Sequence, residues 1–309
     1  MDDIRRAIGL MDGDAIRASV RYLSCDPLPC RRADVVLPGH RLSTLDETDA
    51  WLEARLRALG LDVERQSARV QCFGCDPSKP VHHWYAPPPP DAPWFDACNL
   101  VAEVRGREAP QETIVLVAHK DSQSWIECPG AYDNAVGTAS LLEMARVLAG
   151  LGTRRTVRFL FCNEEHTPWT SALAAAAWHE RGDRLIAVVN VDSLGGKSDE
   201  AVAAGRWTNA TLYTVEEGRR LAELMSVVNR RYGLGLDQCV VRREFANDDD
   251  GSFVKSGYGC AVANCGSFPY GDAQYHLPGD TAARVDIPNV LAAARMTLAA
   301  ILHVDRDAW

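Results

Sequence analysis

The sequence predicts an α/β fold, a three-layer α/β/α sandwich around a mixed, mainly parallel central sheet. Apolar, β-branched runs alternate with stretches of helical period from residue 99 to residue 304, which is the pattern of strand–helix–strand units. The run 113–118 is apolar and β-branched throughout, as a strand buried on both faces requires. The chain has 309 residues, is 47% hydrophobic and shows no internal repeat or linker. We therefore expect a single domain over residues 1–309.

The predicted helices have an apolar face and recognisable ends. The second of them, over residues 44–59, has Ser43 or Thr44 as its N-cap, acids in its first turn and Gly60 after its last residue. Helices of this kind are predicted over residues 13–23, 44–59, 135–148, 171–180, 215–232 and 287–304.

Strands are predicted where short apolar runs stop at a turn or a polar residue. An edge strand starts at residues 61–63, and further strands cover residues 99–104, 113–118, 156–162, 185–191, 238–241 and 259–264. Between the first two lies an irregular insertion loop at about 71–98, with four consecutive prolines at 87–90. Loops of this length often act as lids or as walls of a binding site.

The ten cysteines do not form a recognisable zinc motif. Cys72 and Cys75 have the spacing of a zinc knuckle or redox pair, but no second pair completes the pattern. Cys25 and Cys30 flank a proline-containing turn. We expect reduced, partly buried thiols, with disulfides Cys25–Cys30 or Cys72–Cys75 as the alternative.

The bulk composition excludes several classes of partner. The net charge of −9 and the pI of about 5.4 disfavour nucleic acid and anionic membranes. We find no stretch that approaches the ~18 apolar residues of a membrane span. The N-terminus lacks the apolar region of a signal peptide. A cytoplasmic location is the default expectation, and a secreted origin stays open.

Acids and histidines stand at the ends of successive hydrophobic runs. They are His119, Asp121, Asp133, Glu164, Glu165, Asp192 and His276. In open α/β sheets, ligands bind outside the carboxyl ends of the strands, so these side chains are expected to meet at one edge. A mixture of histidine and carboxylate without cysteine is typical of a zinc-type hydrolytic site.

Five motifs in order resemble those of the M28 zinc peptidases, a family of dizinc aminopeptidases that includes glutaminyl cyclases. They are residues 119–121, 130–134, 163–165, 190–192 and 275–280, and the strand at 99–104 with Gly106 resembles the family's lead-in strand. The resemblance covers roughly residues 99–304. It implies a phosphorylase/hydrolase-like fold and, as cofactors, two Zn²⁺ ions or other divalent metals.

The resemblance also implies a role for each site residue. His119 and Asp192 would hold one zinc, Glu165 and His276 the other, and Asp133 both. Glu164 would be the general base, and Asp121 would orient the imidazole of His119. The resemblance further implies a cis peptide between Asp121 and Ser122.

A count of charge is consistent with two metal ions. Two Zn²⁺ ions bring four positive charges, and Asp133, Glu165, Asp192 and a bridging hydroxide would balance them. Metals in such sites lie roughly 3.5–4 Å apart, so a shared carboxylate is expected. The metals would activate the water while Glu164 moves its proton to the leaving amine.

Several residues are expected near the substrate. Tyr270 or Tyr275 would donate to the oxyanion, although Tyr275 could equally pack beside His276. Trp125 and Trp169 would line the pocket, and the segment 166–171 departs from the family's usual sequence. We expect His82, His83, His166 and His179 to be surface or loop residues, although His166 could line the pocket. We expect residues 248–250 to form a solvated turn.

Three functions follow from these patterns. The first is a metal-dependent aminopeptidase acting on a peptide or aminoacyl substrate, with neither nucleic acid nor membrane as partner. The second is a glutaminyl cyclase-like acyltransferase with a single zinc. The third is a non-catalytic binding protein on the same fold. Asp133 followed by Asn134, together with Asp192, favours the first.

Overall fold

A computed structural model describes residues 3–266 and 271–307. Within these residues the helices are α1 Asp3–Gly9, α2 Gly13–Ser24, α3 Thr44–Ala58, α4 Val136–Leu151, α5 Thr170–Glu180, α6 Asp199–Ala203, α7 Glu216–Tyr232, α8 Asp248–Lys255 and α9 Ile287–Arg306. The strands are β1 Val63–Cys72, β2 Gly74–Cys75, β3 Tyr85–Ala86, β4 Phe95–Val104, β5 Ala109–His119, β6 Arg155–Cys162, β7 His166–Thr167, β8 Arg184–Asp192, β9 Thr208–Tyr213, β10 Asp237–Arg242 and β11 Ala261–Cys265. A wide turn, Ala131–Ala135, precedes α4, and a short 3-10 helix, Ala282–Arg284, precedes α9.

In the described part of the chain, nine strands form one mixed sheet in the order β10-β9-β11-β8-β5-β6-β4-β1-β7. The four central strands β11, β8, β5 and β6 run parallel to one another. Antiparallel pairs flank this centre, with β9 beside β11 on one side and β4 beside β6 on the other. The predicted mixed, mainly parallel sheet is confirmed, and its parallel centre brings several strand carboxyl ends to one edge.

Helices cover both faces of this sheet, which confirms the three-layer sandwich. Alternate residues of one strand face opposite layers because side chains alternate along a strand. Leu116 of β5 packs into the core beneath α1–α4, α7 and α9, whereas Val115 and Val117 pack towards α5 and α8. The central strands are therefore apolar on both faces, and polar side chains collect where they end.

The helix ends follow the capping pattern of the sequence. Ser43 is the N-cap of α3, and its hydroxyl accepts a hydrogen bond from Asp46 N at 3.1 Å. Among the described residues, α9 is long and apolar enough to cross a membrane by length and composition alone, contrary to the expectation above. Its most apolar window is 78% buried inside the fold, and the helix packs in the main core.

The predicted insertion loop is shorter than its expected bounds. β1 continues to Cys72 and β4 already begins at Phe95, so 71–98 includes parts of two strands. The strand expected to start at 61–63 is the ten-residue β1, which begins at Val63. Most of its side chains are exposed or only half-buried. We use "insertion loop" below for residues 73–94, which include the small hairpin β2–β3.

All ten cysteines lie within the described residues, and none of them forms a disulfide. Cys25 and Cys75 are exposed, whereas Cys30 and Cys72 are half-buried. The expectation of reduced thiols is therefore met, and neither of the two alternative disulfides is formed.

Candidate metal centre

The carboxyl edge of the parallel strands brings the predicted site residues together. His119 ends β5, Asp192 ends β8, and Glu164 and Glu165 directly follow β6. The turn before α4 contributes Asp133, and the segment between β11 and α9 contributes His276. Hydrophobic strands thus end at the point where ionisable side chains converge, as expected for a ligand site on an α/β sheet.

These side chains form two groups that share one residue. In the first, His119 Nε2 lies 3.0 Å from Asp133 Oδ1 and 3.5 Å from Asp192 Oδ1. In the second, His276 Nε2 lies 3.0 Å from Asp133 Oδ2 and 3.3 Å from Glu165 Oε1. Within each group the candidate ligand atoms lie within 4.8 Å of one another. The two oxygens of Asp133 therefore face different histidines.

The electrostatics of the centre favour positive charge at both histidines. Burial alone would lower the pKa of His119, but the adjacent carboxylates of Asp121, Asp133 and Asp192 raise it well above its ordinary value. The pKa of His276 rises to about 10, against the effect of burial, because Glu165 and Asp133 lie beside it. The same carboxylates would stabilise metal cations. The nitrogen and oxygen donors in each group suit a borderline ion such as zinc.

Asp121 is buried behind the centre and contacts both ends of it. Its Oδ1 lies 3.3 Å from His119 Nδ1 and accepts from Glu164 N at 3.0 Å. Its Oδ2 accepts from Glu165 N at 2.8 Å and lies 2.8 Å from His166 Nδ1. This carboxylate thus lies beside the His119 ring, whose orientation the resemblance assigns to it, and it holds the backbone that carries both glutamates.

His166 is buried, so its predicted place at the surface is wrong. Its Nε2 accepts from Ala33 N at 3.2 Å while Nδ1 faces Asp121. The sequence could not show this because Ala33 belongs to a distant segment between α2 and α3. His82 lies in a loop, as expected of a surface or loop residue, and is half-buried against residues 275 and 276. His83 and His179 are exposed, as predicted.

Two polar residues that the sequence analysis left without a role hold Asp133. Gln123 Nε2 donates to Asp133 Oδ2 at 2.9 Å and to Glu165 Oε1 at 3.2 Å. Asp280 accepts from Tyr132 N at 2.8 Å and from Asp133 N at 3.0 Å. Asp280 lies in the quoted motif 275–280, so its position carried a signal; Gln123 lies outside the motifs and carried none.

The non-proline cis peptide lies at Asp133–Asn134, so its predicted position between Asp121 and Ser122 is wrong. Ser122 forms two hydrogen bonds with Arg31, in the segment between α2 and α3. Its N–H donates to Arg31 O, and its hydroxyl accepts from Arg31 N, both at 3.0 Å.

Glu164 lies beside the two groups and belongs to neither. It lines a cavity that opens onto both groups. Its Oε2 is buried and has no hydrogen-bond partner in the described part of the chain. Burial raises the pKa of Glu164 well above its ordinary value, and the nearby carboxylates of Asp249 and Asp248 raise it further. A carboxylate in these surroundings holds a proton more readily than an exposed one.

Residues 248–250 form the first turn of α8, and the solvated turn predicted for them is wrong. Asp249 and Asp250 are fully buried. Arg243 pairs with Asp248 at 2.5 Å and also with Asp250, and Cys162 Sγ donates to Asp249 Oδ2 at 3.0 Å. The sequence alone does not show that Arg243, which follows β10, packs against this helix.

A cavity of about 80 Å³ opens onto the centre. Its aromatic lining includes Trp125, Trp169, Tyr275, Phe73 and Tyr85. The first three are residues that were expected near the substrate, whereas the last two come from the insertion loop. Tyr270 lies outside the described residues. A neighbouring cavity of about 100 Å³ shares Asp192 and Asp248 with this one.

Comparison with known proteins identifies the family. The family model "Peptidase family M28" matches residues 99–301. The chain belongs to peptidase family M28. The sequence is 26% identical to leucine aminopeptidase 1 of Sclerotinia sclerotiorum, over 67% of this chain and 55% of that protein. It is 25% identical to leucine aminopeptidase 1 of Aspergillus niger, over 84% of this chain and 64% of that protein. The M28 chain thus spans less than two thirds of the length of these curated relatives.

Solved structures share the fold of this M28 chain. The LapA aminopeptidase of Legionella pneumophila superposes with a TM-score of 0.74 at 17% identity, over 100% of this chain and 76% of that one. The glutaminyl cyclase of Porphyromonas gingivalis superposes with a TM-score of 0.69 at 18% identity, over 94% and 98% of the two chains. One fold therefore serves proteins of both names.

Proposed function

We propose that the protein is an aminopeptidase that hydrolyses N-terminal peptide bonds at a two-zinc centre. Membership of family M28 and the name of the curated relatives support the reaction class. The observation that carries the proposal is the position of Asp133, whose two oxygens each lie 3.0 Å from a different histidine. One carboxylate between two donor groups is what a pair of metal ions requires.

The ligands are assigned group by group. His119 and Asp192 would hold one ion, Glu165 and His276 would hold the other, and Asp133 would contact both. Three carboxylates supply three negative charges against the four positive charges of two Zn²⁺ ions. The one remaining positive charge would be balanced by a hydroxide held between the ions, the nucleophile that hydrolysis needs. Without cations, the same carboxylates would repel one another at short range in buried surroundings.

When bound, the metal ions would supply Lewis acidity towards a water molecule and the scissile carbonyl. Glu164 would take the proton of the attacking water and pass it to the leaving amine. Its position suits this task because it lines the cavity and lies outside both ligand groups. Asp121 would orient the His119 ring through Nδ1, so that Nε2 faces the centre.

Metal content and product together distinguish the candidate functions. The protein is loaded with zinc, its metal content is measured by mass spectrometry, and it is offered a panel of aminoacyl amides and a peptide with N-terminal glutamine. We expect two zinc ions per chain and release of free N-terminal residues. One zinc with pyroglutamate formation would instead indicate a glutaminyl cyclase-like acyltransferase. Bound metal without turnover of any substrate would indicate a binding protein.

Asp133→Ala tests the shared ligand. We expect the zinc content to fall from two ions to less than one per chain, because both groups lose a ligand, and we expect hydrolysis to be lost with it. Asp96→Ala is the matched control, since Asp96 is an acid on β4 whose side chain is 94% exposed. Retention of two zinc ions by Asp133→Ala would contradict the assignment.

A further inference from the structure

The insertion loop reaches across the fold to the candidate ligand His276. The carbonyl oxygen of His82 lies 2.7 Å from His276 Nδ1, and His82 Nδ1 lies 2.5 Å from the carbonyl oxygen of Tyr275. A carbonyl oxygen can only accept a hydrogen bond, so each imidazole Nδ1 carries the proton of its bond. Two reciprocal hydrogen bonds thus join one loop residue to the segment that holds a ligand.

This contact determines which nitrogen of His276 faces the centre. With Nδ1 donating to the loop, Nε2 points at Asp133 and Glu165. A neutral imidazole with its proton on Nδ1 has its lone pair on Nε2, which is the form a metal ion binds. The backbone of His82 has a φ of 74°, in the left-handed region, where histidine and asparagine occur more often than most residues.

Aromatic rings restrict the movement of the His276 ring on several sides. Tyr275 stacks on it with a centroid distance of 3.8 Å. The edges of Trp125 and of Tyr85, the latter from β3 in the insertion loop, approach it at 5.0 Å and 5.9 Å. The loop therefore contributes a packing contact to this ligand in addition to the hydrogen bond from His82.

The start of the same loop is connected to Glu165, another candidate ligand in the group that contains His276. Phe73 N donates to Ser124 Oγ at 2.9 Å, and Ser124 Oγ donates to the carbonyl oxygen of Glu165 at 2.5 Å. In the strand just before the loop, Cys72 pairs with His166, which follows Glu165 directly. Contacts from the start and the middle of the loop thus converge on Glu165 and His276.

We propose that the insertion loop positions the metal ligands Glu165 and His276, and that His82 is the positioning residue that directs His276 Nε2 towards the metal. The inference rests on the proposed two-zinc centre and adds a residue to it. Loss of a group that orients a metal-binding histidine typically weakens metal binding by about 10–100-fold. His82→Ala keeps the carbonyl that contacts His276 but removes the side-chain bond that holds it against Tyr275. We therefore expect His82→Ala to weaken one of the two zinc sites by up to this factor and to leave the other unchanged.

Three variants separate positioning from a general effect of the loop. His82→Ala removes the bond to Tyr275 O. His82→Asn places an amide donor at the same distance from the backbone and tolerates a positive φ, so it should restore most of the affinity. Val81→Ala is the matched control, because Val81 is the preceding residue and is 51% exposed. Stepwise zinc dissociation constants are measured by competition with a chromophoric chelator, after thermal unfolding has shown that each variant folds.

The position of the weakened site is read from zinc anomalous scattering in crystals grown at limiting zinc. We expect reduced occupancy beside Glu165 and His276 in His82→Ala and full occupancy beside His119 and Asp192. Two unchanged zinc affinities in His82→Ala, or an equal loss in Val81→Ala, would overturn the inference and leave the proposed function standing. Wild-type protein that binds no zinc would overturn both.

Discussion

At the scale of single residues, Asp121 shows how one carboxylate organises a centre. Its two oxygens accept hydrogen bonds from Glu164 N, Glu165 N and His166 Nδ1. Oδ1 also lies beside His119 Nδ1. Burial alone would raise the pKa of Asp121, but these histidines bring it well below its ordinary value. Asp121 therefore stays ionised at neutral pH. It can orient both the candidate ligand His119 and the backbone that carries Glu164.

The role of Glu164 can be tested because it lies outside both ligand groups. We expect Glu164→Gln to keep its full zinc content and to lower kcat by about 10²–10⁴-fold, the usual contribution of a positioned general base. The amide has nearly the same shape as the carboxylate but cannot take the proton of water. Zinc content is measured together with hydrolysis of an aminoacyl amide. Glu217→Gln on α7 is a control outside the centre. Wild-type activity in Glu164→Gln would refute the general-base assignment.

At the scale of elements, a buried ion pair joins α3 to the end of β5. Lys120, directly after His119, is fully buried and its Nζ lies 3.0 Å from Asp49 Oδ1 of α3. The same Nζ donates to Asn163 Oδ1 at 2.7 Å, which connects it to the residue before Glu164. Two of the strand ends that carry the centre are therefore tied to each other and to a covering helix.

Removing one partner of this pair should destabilise the fold strongly. We expect Lys120→Met to lower the free energy of unfolding by about 3–5 kcal/mol, because Asp49 is left buried without its partner. The double variant Lys120→Met with Asp49→Leu should recover much of this loss. Urea unfolding of the metal-free proteins measures both changes. Arg57→Met is a control from α3, since its ion pair with Glu53 is exposed. A cost below about 1 kcal/mol for Lys120→Met would show that the pair is dispensable.

At the scale of the whole molecule, the acidic edge of the sheet couples stability to pH and metal. Below pH 6.5, His276 is protonated in both the folded and the unfolded chain; its folded pKa is about 10. Between pH 6.5 and pH 10, His276 keeps its proton only in the folded state. The contribution of this proton to stability therefore falls as pH rises. Burial raises the pKa of Asp249 to about 6 and that of Asp250 to about 7. The folded state therefore loses the protons of these two carboxyl groups as pH rises towards these values, which adds a decline in stability at lower pH.

The metal-free protein should therefore lose stability from about pH 6.5 to pH 9. Zinc should remove most of this slope, because a metal on Nε2 of His276 takes the place of the proton, and it should raise Tm through preferential binding to the folded state. Thermal unfolding across this pH range, with zinc and with a chelator, measures both effects. Equal slopes in the two conditions would refute the coupling.

The sequence by itself determined the fold class and the members of the centre. Uninterrupted apolar runs predict strands buried on both faces, and a polar residue at the end of such a run must lie at a sheet edge. His119, Glu164 and Asp192 could be grouped for this reason alone. The motifs then added Asp133 and His276, which lie in a turn and a loop whose path local periodicity does not reveal.

The tertiary structure alone decided what surrounds these residues. Ala33 beside His166, Arg243 beside α8, and the carbonyl of His82 beside His276 are contacts between segments far apart in the chain. Such partners leave no local pattern, because hydrophobic period and capping depend on near neighbours. The sequence thus specified which groups meet at the sheet edge, and long-range packing decided how each of them is oriented.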